Sequence, residues 1–207
     1  MNLKILAPII VAGDILVVLA VSFPYDSTPE VTIASPTSTL SVESQSMQSM
    51  IMETDGVKHS IPLDKIKGGG PPKDGIPSID DPVFTTISNS QFMSDSDTVI
   101  GLEINGQTKA YPLFILVWHE IVNDFVNDKP VLVTYCPLCG SGIAYKREIN
   151  GEEVEFGTSG KLYNSNLVMY DRKTDTYWQQ IDGKAIVGEL VGMELKEVSI
   201  DVTTWGA

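Results

Sequence analysis

The chain has 207 residues, and 43% of them are apolar, which is enough for one folded domain with a core of its own. It carries 27 acidic and 14 basic residues, for a net charge of -13. Such a chain repels phosphate groups and offers no basic patch, so we expect no nucleic-acid partner.

Residues 5–23 form a nearly unbroken apolar segment. At about 1.5 Å per residue, a helix of this length approaches the ~30 Å of a bilayer core. Lys4 before it and an acidic chain after it favour an orientation with the N-terminus inside. A retained transmembrane helix fits, and so does a signal helix cleaved near the small-x-small motif at residues 20–22. We therefore expect a membrane anchor or signal segment over residues 1–23, and a membrane-anchored or secreted protein whose domain lies outside the cytoplasm.

Residues 24–56 are rich in Ser, Thr and Pro, with several Met at their end. Because such a composition buries little apolar surface, we interpret them as a flexible tether. Met47, Met50 and Met52 carry thioethers of the kind that hold Cu(I), but we favour a short apolar patch of the tether as their explanation.

Residues 57–207 read as a single mainly β domain of antiparallel hairpins, forming a barrel or a sandwich, with one or two short helices. Asn105-Gly106 and Asn150-Gly151 are typical of tight hairpin turns. A third hairpin is predicted between residues 167–170 and 177–180.

One helix is predicted over residues 115–126, where the apolar side chains fall on one arc of a helical wheel and His119 lies at its border. The apolar run over residues 131–135 then predicts a central strand that ends at Cys136.

The only two cysteines, Cys136 and Cys139, lie in the motif Thr-Tyr-Cys-Pro-Leu-Cys-Gly. Such a turn can form half of a zinc ribbon, a redox dithiol or a structural disulfide. A full zinc ribbon needs a second cysteine pair, which this chain lacks. A thioredoxin-type dithiol opens a helix, whereas a hairpin is predicted after Cys139.

A metal held by the two cysteines would need further ligands, and His119 is the best placed of them. Two thiolates and an imidazole suit copper, with zinc as the alternative. The further candidates for ligands, or for residues that support ligands, are Met169, His59, Glu120, Tyr135, Asn164 and Asn166. We favour a surface carboxylate as the explanation of Glu120, whereas turn formation explains the two asparagines as well as a role in the site does.

Five motifs carry a resemblance to a known family: residues 69–77 (GGPPKDGIP), 110–113 (AYPL), 118–124 (WHEIVND), 134–140 (TYCPLCG) and 162–171 (LYNSNLVMYD). Through them the chain resembles the domain of unknown function 3179 family over roughly residues 57–207. The resemblance supplies no activity, but it implies an exported or anchored protein in which the His119 motif and the two-cysteine motif share one module. In similar proteins a further stretch follows Thr203-Thr204-Trp205, so it also implies that a ligand or strand could lie beyond Ala207.

The leading expectation is an extracytoplasmic copper-binding protein with a redox or metal-delivery role and an unidentified redox or metal-exchange partner. The alternatives are a thiol–disulfide oxidoreductase of exported proteins, with Cys136 as the attacking thiol, and a non-catalytic domain with a structural disulfide.

Overall fold

The fold is known from a computed structural model, which describes residues 51–207. The predicted anchor or signal segment and residues 24–50 of the predicted tether lie outside the described residues. Within residues 51–207, no helix has the length and apolar character needed to cross a membrane.

The described part is mainly β, as the sequence predicts. Its strands are β1 (Met52–Thr54), β2 (Val57–His59), β3 (Ile66–Gly68), β4 (Ile79–Asp80), β5 (Thr98–Ile104), β6 (Gln107–Pro112), β7 (Ile121–Val126), β8 (Lys129–Cys136), β9 (Ser141–Lys146), β10 (Glu148–Ile149), β11 (Glu152–Glu153), β12 (Phe156–Tyr163), β13 (Asn166–Asp171), β14 (Tyr177–Gln179), β15 (Ala185–Val187), β16 (Glu197–Val198) and β17 (Asp201–Thr204). Its α-helix is α1 (Leu113–His119), and two 3₁₀ turns cover Leu63–Lys65 and Ile87–Asn89.

The strands form four hydrogen-bonded sheets. The largest has the order β1-β2-β15-β14-β13-β12-β3, and a five-stranded sheet has the order β16-β9-β8-β7-β4. A three-stranded sheet joins β17, β5 and β6, and β10 pairs with β11. Pairing is antiparallel in the described part except between β4 and β7, which run parallel.

Strand β8 lies at the centre of the five-stranded sheet and has both faces buried. Leu132 and Cys136 face a core that they share with residues of the seven-stranded sheet. Val131 and Val133 face a second core, shared with α1 and the three-stranded sheet. Because successive side chains of a strand point to opposite faces, the apolar run of β8 fills two cores at once. This confirms the prediction of a central strand.

Two of the predicted hairpins are confirmed, with the predicted turns joining the predicted strands. Asn105 and Gly106, with φ of 51° and 82°, join β5 to β6, and residues 172–176 join β13 to β14. The turn at Asn150-Gly151 joins only the short strands β10 and β11, because β9 ends at Lys146.

The helix predicted over residues 115–126 is wrong in its second half. Helix α1 ends at His119, and residues 121–126 form β7. Glu120, with φ of 58°, separates the two elements, and its carbonyl accepts a hydrogen bond from the Tyr135 N–H at 2.8 Å. The prediction failed because both faces of β7 are buried. Ile121 and Val122 enter different cores, so the sequence shows no alternation of apolar and polar residues that would indicate a strand.

The sequence analysis places the start of the domain at Val57, but the paired strands begin earlier than that residue. Met52–Thr54 form β1, which pairs with β2 in the seven-stranded sheet. Similarly, the polar stretch over residues 157–166, which resembles a loop in the sequence, is β12 up to Tyr163 with a bulge between Thr158 and Lys161.

Candidate functional site

The two cysteines lie at one end of the five-stranded sheet, in the turn between β8 and β9. Cys136 is the last residue of β8 and pairs in register with Ser141, the first of β9. Cys136 belongs to the core between the two larger sheets and is 1% exposed, whereas Cys139 is exposed on the turn. Both are free thiols. The turn therefore presents one sulfur to solvent and keeps the other inside.

Polar side chains from two other strands surround the sulfur of Cys139. The Asn166 amide donates from Nδ2 to Cys139 Sγ at 3.3 Å, and the Ser141 hydroxyl lies 3.1 Å from the same sulfur. The Cys139 thiol also lies 3.9 Å from the Cys136 carbonyl, and the two cysteine side chains influence each other's pKa. These groups can stabilise a negative charge on Cys139 without a metal or a lysine.

The two thiols differ in acidity. Burial alone would raise the pKa of Cys139, but hydrogen bonds from Cys136, Ser141 and Asn166 outweigh it and lower that pKa from its ordinary value. Burial raises the pKa of Cys136, and its hydrogen bond to Cys139 raises it further. Cys139 is therefore the more acidic of the two thiols.

Comparison with known families supports the motif resemblance. Residues 73–207 match the family model described as "Protein of unknown function (DUF3179)". The chain belongs to this family. No curated protein matches it, and no solved structure does.

In this DUF3179 domain, His119 lies at the same end of the five-stranded sheet as Cys136, because β7 and β8 pair Ile121 with Thr134. Its ring is held by the Pro77 carbonyl, which accepts a hydrogen bond from Nδ1 at 2.8 Å. Since a carbonyl can only accept, Nδ1 carries the hydrogen, and Nε2 is the ring nitrogen that could bind a metal. Within residues 51–207, no three His, Cys, Asp or Glu side chains are grouped so as to hold a metal ion. Metal binding through Cys136, Cys139 and His119 stays a prediction.

Three of the other predicted residues, His59, Met169 and Tyr135, have hydrogen-bonding or packing partners inside the domain. His59 is buried, and both its ring nitrogens are occupied, by Thr54 Oγ1 at 2.9 Å and the Ile61 carbonyl at 2.8 Å. Met169 is fully buried in the core that also holds Cys136. Tyr135 packs against the opposite core.

Glu120 is partly exposed, and burial raises the pKa of its carboxyl. Its left-handed backbone is uncommon for a residue with a side chain, and such conformations cluster at functional sites.

The two predicted asparagines have different positions in the domain. Asn166 is buried and contacts Cys139, as described above. Asn164 is exposed in the turn between β12 and β13 and lines a cleft of about 410 Å³ together with Tyr163, Ile186 and Met193. Neither cysteine lines that cleft.

Sequence reasoning missed two residues of the site, Ser141 and Gln180. Ser141 could have been found, because it directly follows the last residue of the two-cysteine motif. Gln180 carries no signal in the sequence, since it lies forty-one residues after Cys139 and reaches the site only through the packing of two sheets.

Proposed function

We propose that this domain is a thiol–disulfide oxidoreductase in which Cys139 is the attacking thiol and Cys136 the resolving thiol. The observation that carries the proposal is the asymmetry of the pair: an exposed thiol of lowered pKa and a buried thiol of raised pKa lie at the same turn. Redox-active dithiols need this division, because one thiolate has to reach the substrate and the other has to wait until a mixed disulfide forms.

The reaction takes two exchange steps. The Cys139 thiolate attacks one sulfur of a substrate disulfide, the substrate S–S bond breaks, and the departing substrate thiolate takes up a proton. Cys136 then loses its proton and attacks Cys139 Sγ, which forms the Cys136–Cys139 disulfide and releases the second substrate thiol. The substrate gains two electrons and the dithiol loses two, and the reverse sequence would oxidise a substrate dithiol.

The surroundings of the pair favour this chemistry over a purely structural role. A structural disulfide would need no donors around its outer sulfur, whereas Cys139 has contacts with Asn166 and Ser141. The extracytoplasmic location that the sequence predicts also suits the proposal, since disulfides form and persist there.

The proposal is tested by equilibrating the full chain, purified in mild detergent, with mixtures of reduced and oxidised glutathione. We expect a reversible loss of two hydrogens in the mass spectrum, with the disulfide mapped to Cys136 and Cys139. The Cys136→Ser variant, which cannot close the ring, should stop at a single adduct with glutathione on Cys139. A dithiol that stays reduced in excess oxidised glutathione, or a pair that cannot be reduced again, would contradict the proposal.

Copper binding is a second proposal, favoured by the presence of two soft sulfurs, those of Cys136 and Cys139, at the same turn. Elemental analysis of protein expressed with copper and zinc available is expected to find near-stoichiometric copper in the wild type and little in Cys136→Ser or Cys139→Ser. A further loss in His119→Ala would place the imidazole in the same site. Metal content that does not respond to either cysteine variant would dismiss the copper site.

A further inference from the structure

Gln180 is a fully buried polar side chain that touches neither sulfur but contacts the groups around Cys139. Its Oε1 accepts hydrogen bonds from the Asn166 amide at 2.7 Å and from the Ser141 hydroxyl at 3.0 Å. Its Nε2 donates to Thr134 Oγ1 at 3.0 Å and to the Ser141 carbonyl at 3.2 Å. All of the hydrogens on its amide are therefore used inside the protein.

Backbone groups fix which way the two amides point. The Ser141 carbonyl can only accept, so Gln180 must turn Nε2 towards it and Oε1 towards Asn166. Asn166 Oδ1 accepts from the backbone N–H of Ile181 at 3.0 Å, so its Nδ2 must face the opposite way. Of the two hydrogens on Asn166 Nδ2, one is donated to Gln180 Oε1 and the other to Cys139 Sγ.

The Ser141 hydroxyl has a single hydrogen and two acceptors at nearly equal distance. Gln180 Oε1 lies 3.0 Å from Ser141 Oγ, and Cys139 Sγ lies 3.1 Å from it. While Cys139 is a thiol, Ser141 can donate to Gln180 and accept from the sulfur. Once the sulfur is negative, the hydroxyl can rotate and donate to it, since hydrogen bonds to charged acceptors are the stronger ones.

We propose that Gln180 is a positioning residue for Cys139: it holds Asn166 and Ser141 so that both can donate to the sulfur, and it thereby favours the dithiol over the disulfide. The inference deepens the redox function proposed above and rests on it. Donors that stabilise the sulfur of the reduced form make a dithiol pair a stronger oxidant, because the disulfide has no comparable charge to stabilise.

The test measures the equilibrium constant between the full chain and glutathione for Gln180→Met, which keeps the side-chain volume and removes the amide. We expect the equilibrium to move about tenfold towards the protein disulfide, which corresponds to about 30 mV for a two-electron couple. The alkylation rate of Cys139 at neutral pH, measured in a Cys136→Ser background, should fall in parallel. That second readout needs no disulfide, so it separates failure of this inference from failure of the proposed function.

A variant cycle distinguishes positioning from general damage to the core. In a Ser141→Ala/Asn166→Ala background, both donors are absent, and Gln180→Met should change the constant by less than about twofold, since coupled residues are not additive. Leu132→Ala is the matched control, because it damages the same core without touching the amide network, and it should leave the constant unchanged.

Three outcomes would overturn the inference. They are an unchanged constant in Gln180→Met, a shift of the same size in the background without donors, and an equal shift in Leu132→Ala. If Gln180→Met does not fold, Gln180→Glu carries the test, because it keeps the shape and should shift the constant in the same direction. Failure of both variants to fold would assign Gln180 a purely structural role.

Discussion

Exposed to an excess of a small aromatic disulfide, the Cys136→Ser variant is expected to react through Cys139 at least about tenfold faster than the Cys139→Ser variant reacts through Cys136. Tenfold corresponds to about 1.4 kcal/mol, and both the burial and the pKa directions of the two thiols favour Cys139. In the oxidoreductase alternative of the sequence analysis Cys136 is the attacking thiol, whereas the function proposed here assigns that step to Cys139.

The measurement is the rate at which the aromatic thiolate is released, followed by absorbance at neutral pH. Denaturant supplies an internal control, because both variants should react at equal rates once unfolding removes the hydrogen bonds and the burial. Equal rates in the folded proteins, or a faster reaction of Cys139→Ser, would disprove the assigned order of attack.

Replacing Asp124 by Ala is expected to lower the free energy of unfolding by about 3 to 5 kcal/mol. The Asp124 carboxylate is buried and accepts hydrogen bonds from Lys109 Nζ at 2.9 Å, from the Tyr111 hydroxyl at 2.8 Å and from the Phe125 N–H at 2.7 Å. The variant would leave the Lys109 ammonium, whose side chain is 14% exposed, without its counter-charge. Because Lys109 and Asp124 belong to different sheets, the change would loosen the contact between two layers.

Urea unfolding followed by tryptophan fluorescence measures this effect. Glu152→Ala is the matched control, because the ion pair between Lys173 and Glu152 is exposed on both sides and such pairs contribute about 0 to 1 kcal/mol. A loss below about 1 kcal/mol in Asp124→Ala would show that the buried pair does not hold the layers together.

The region around His119 shows where sequence patterns stop being informative. The helical wheel grouped Trp118 and Phe125 with the buried residues, yet they are 75% and 41% exposed. Short apolar runs do not distinguish a helix from a strand buried on both faces, because neither shows alternation. By contrast, the turn at Asn105-Gly106 was predictable, since positive φ at two successive residues restricts the residue types that fit.

The candidate site also contains some features that the sequence predicts and others that it does not. The nearness of Cys136 and Cys139 follows from three residues of separation, so the sequence was sufficient to predict it. Asn166 was within reach because it lies in a polar motif, although its contact with Cys139 was not foreseeable. Gln180 depends on how the end of β14 packs against the turn after β8, and such a long-range arrangement leaves no local pattern.

Strand β8 connects the proposed redox site to both cores of the domain. Its residues alternate between two cores, and the strand is hydrogen-bonded to β7 and β9. We therefore expect the two cores to open together. Amide hydrogens along such a strand exchange with solvent only through the largest unfolding events. Because Cys136 ends this strand, we expect the proposed resolving thiol to stay in place until the whole domain opens, while the proposed attacking thiol, Cys139, lies on the turn that follows.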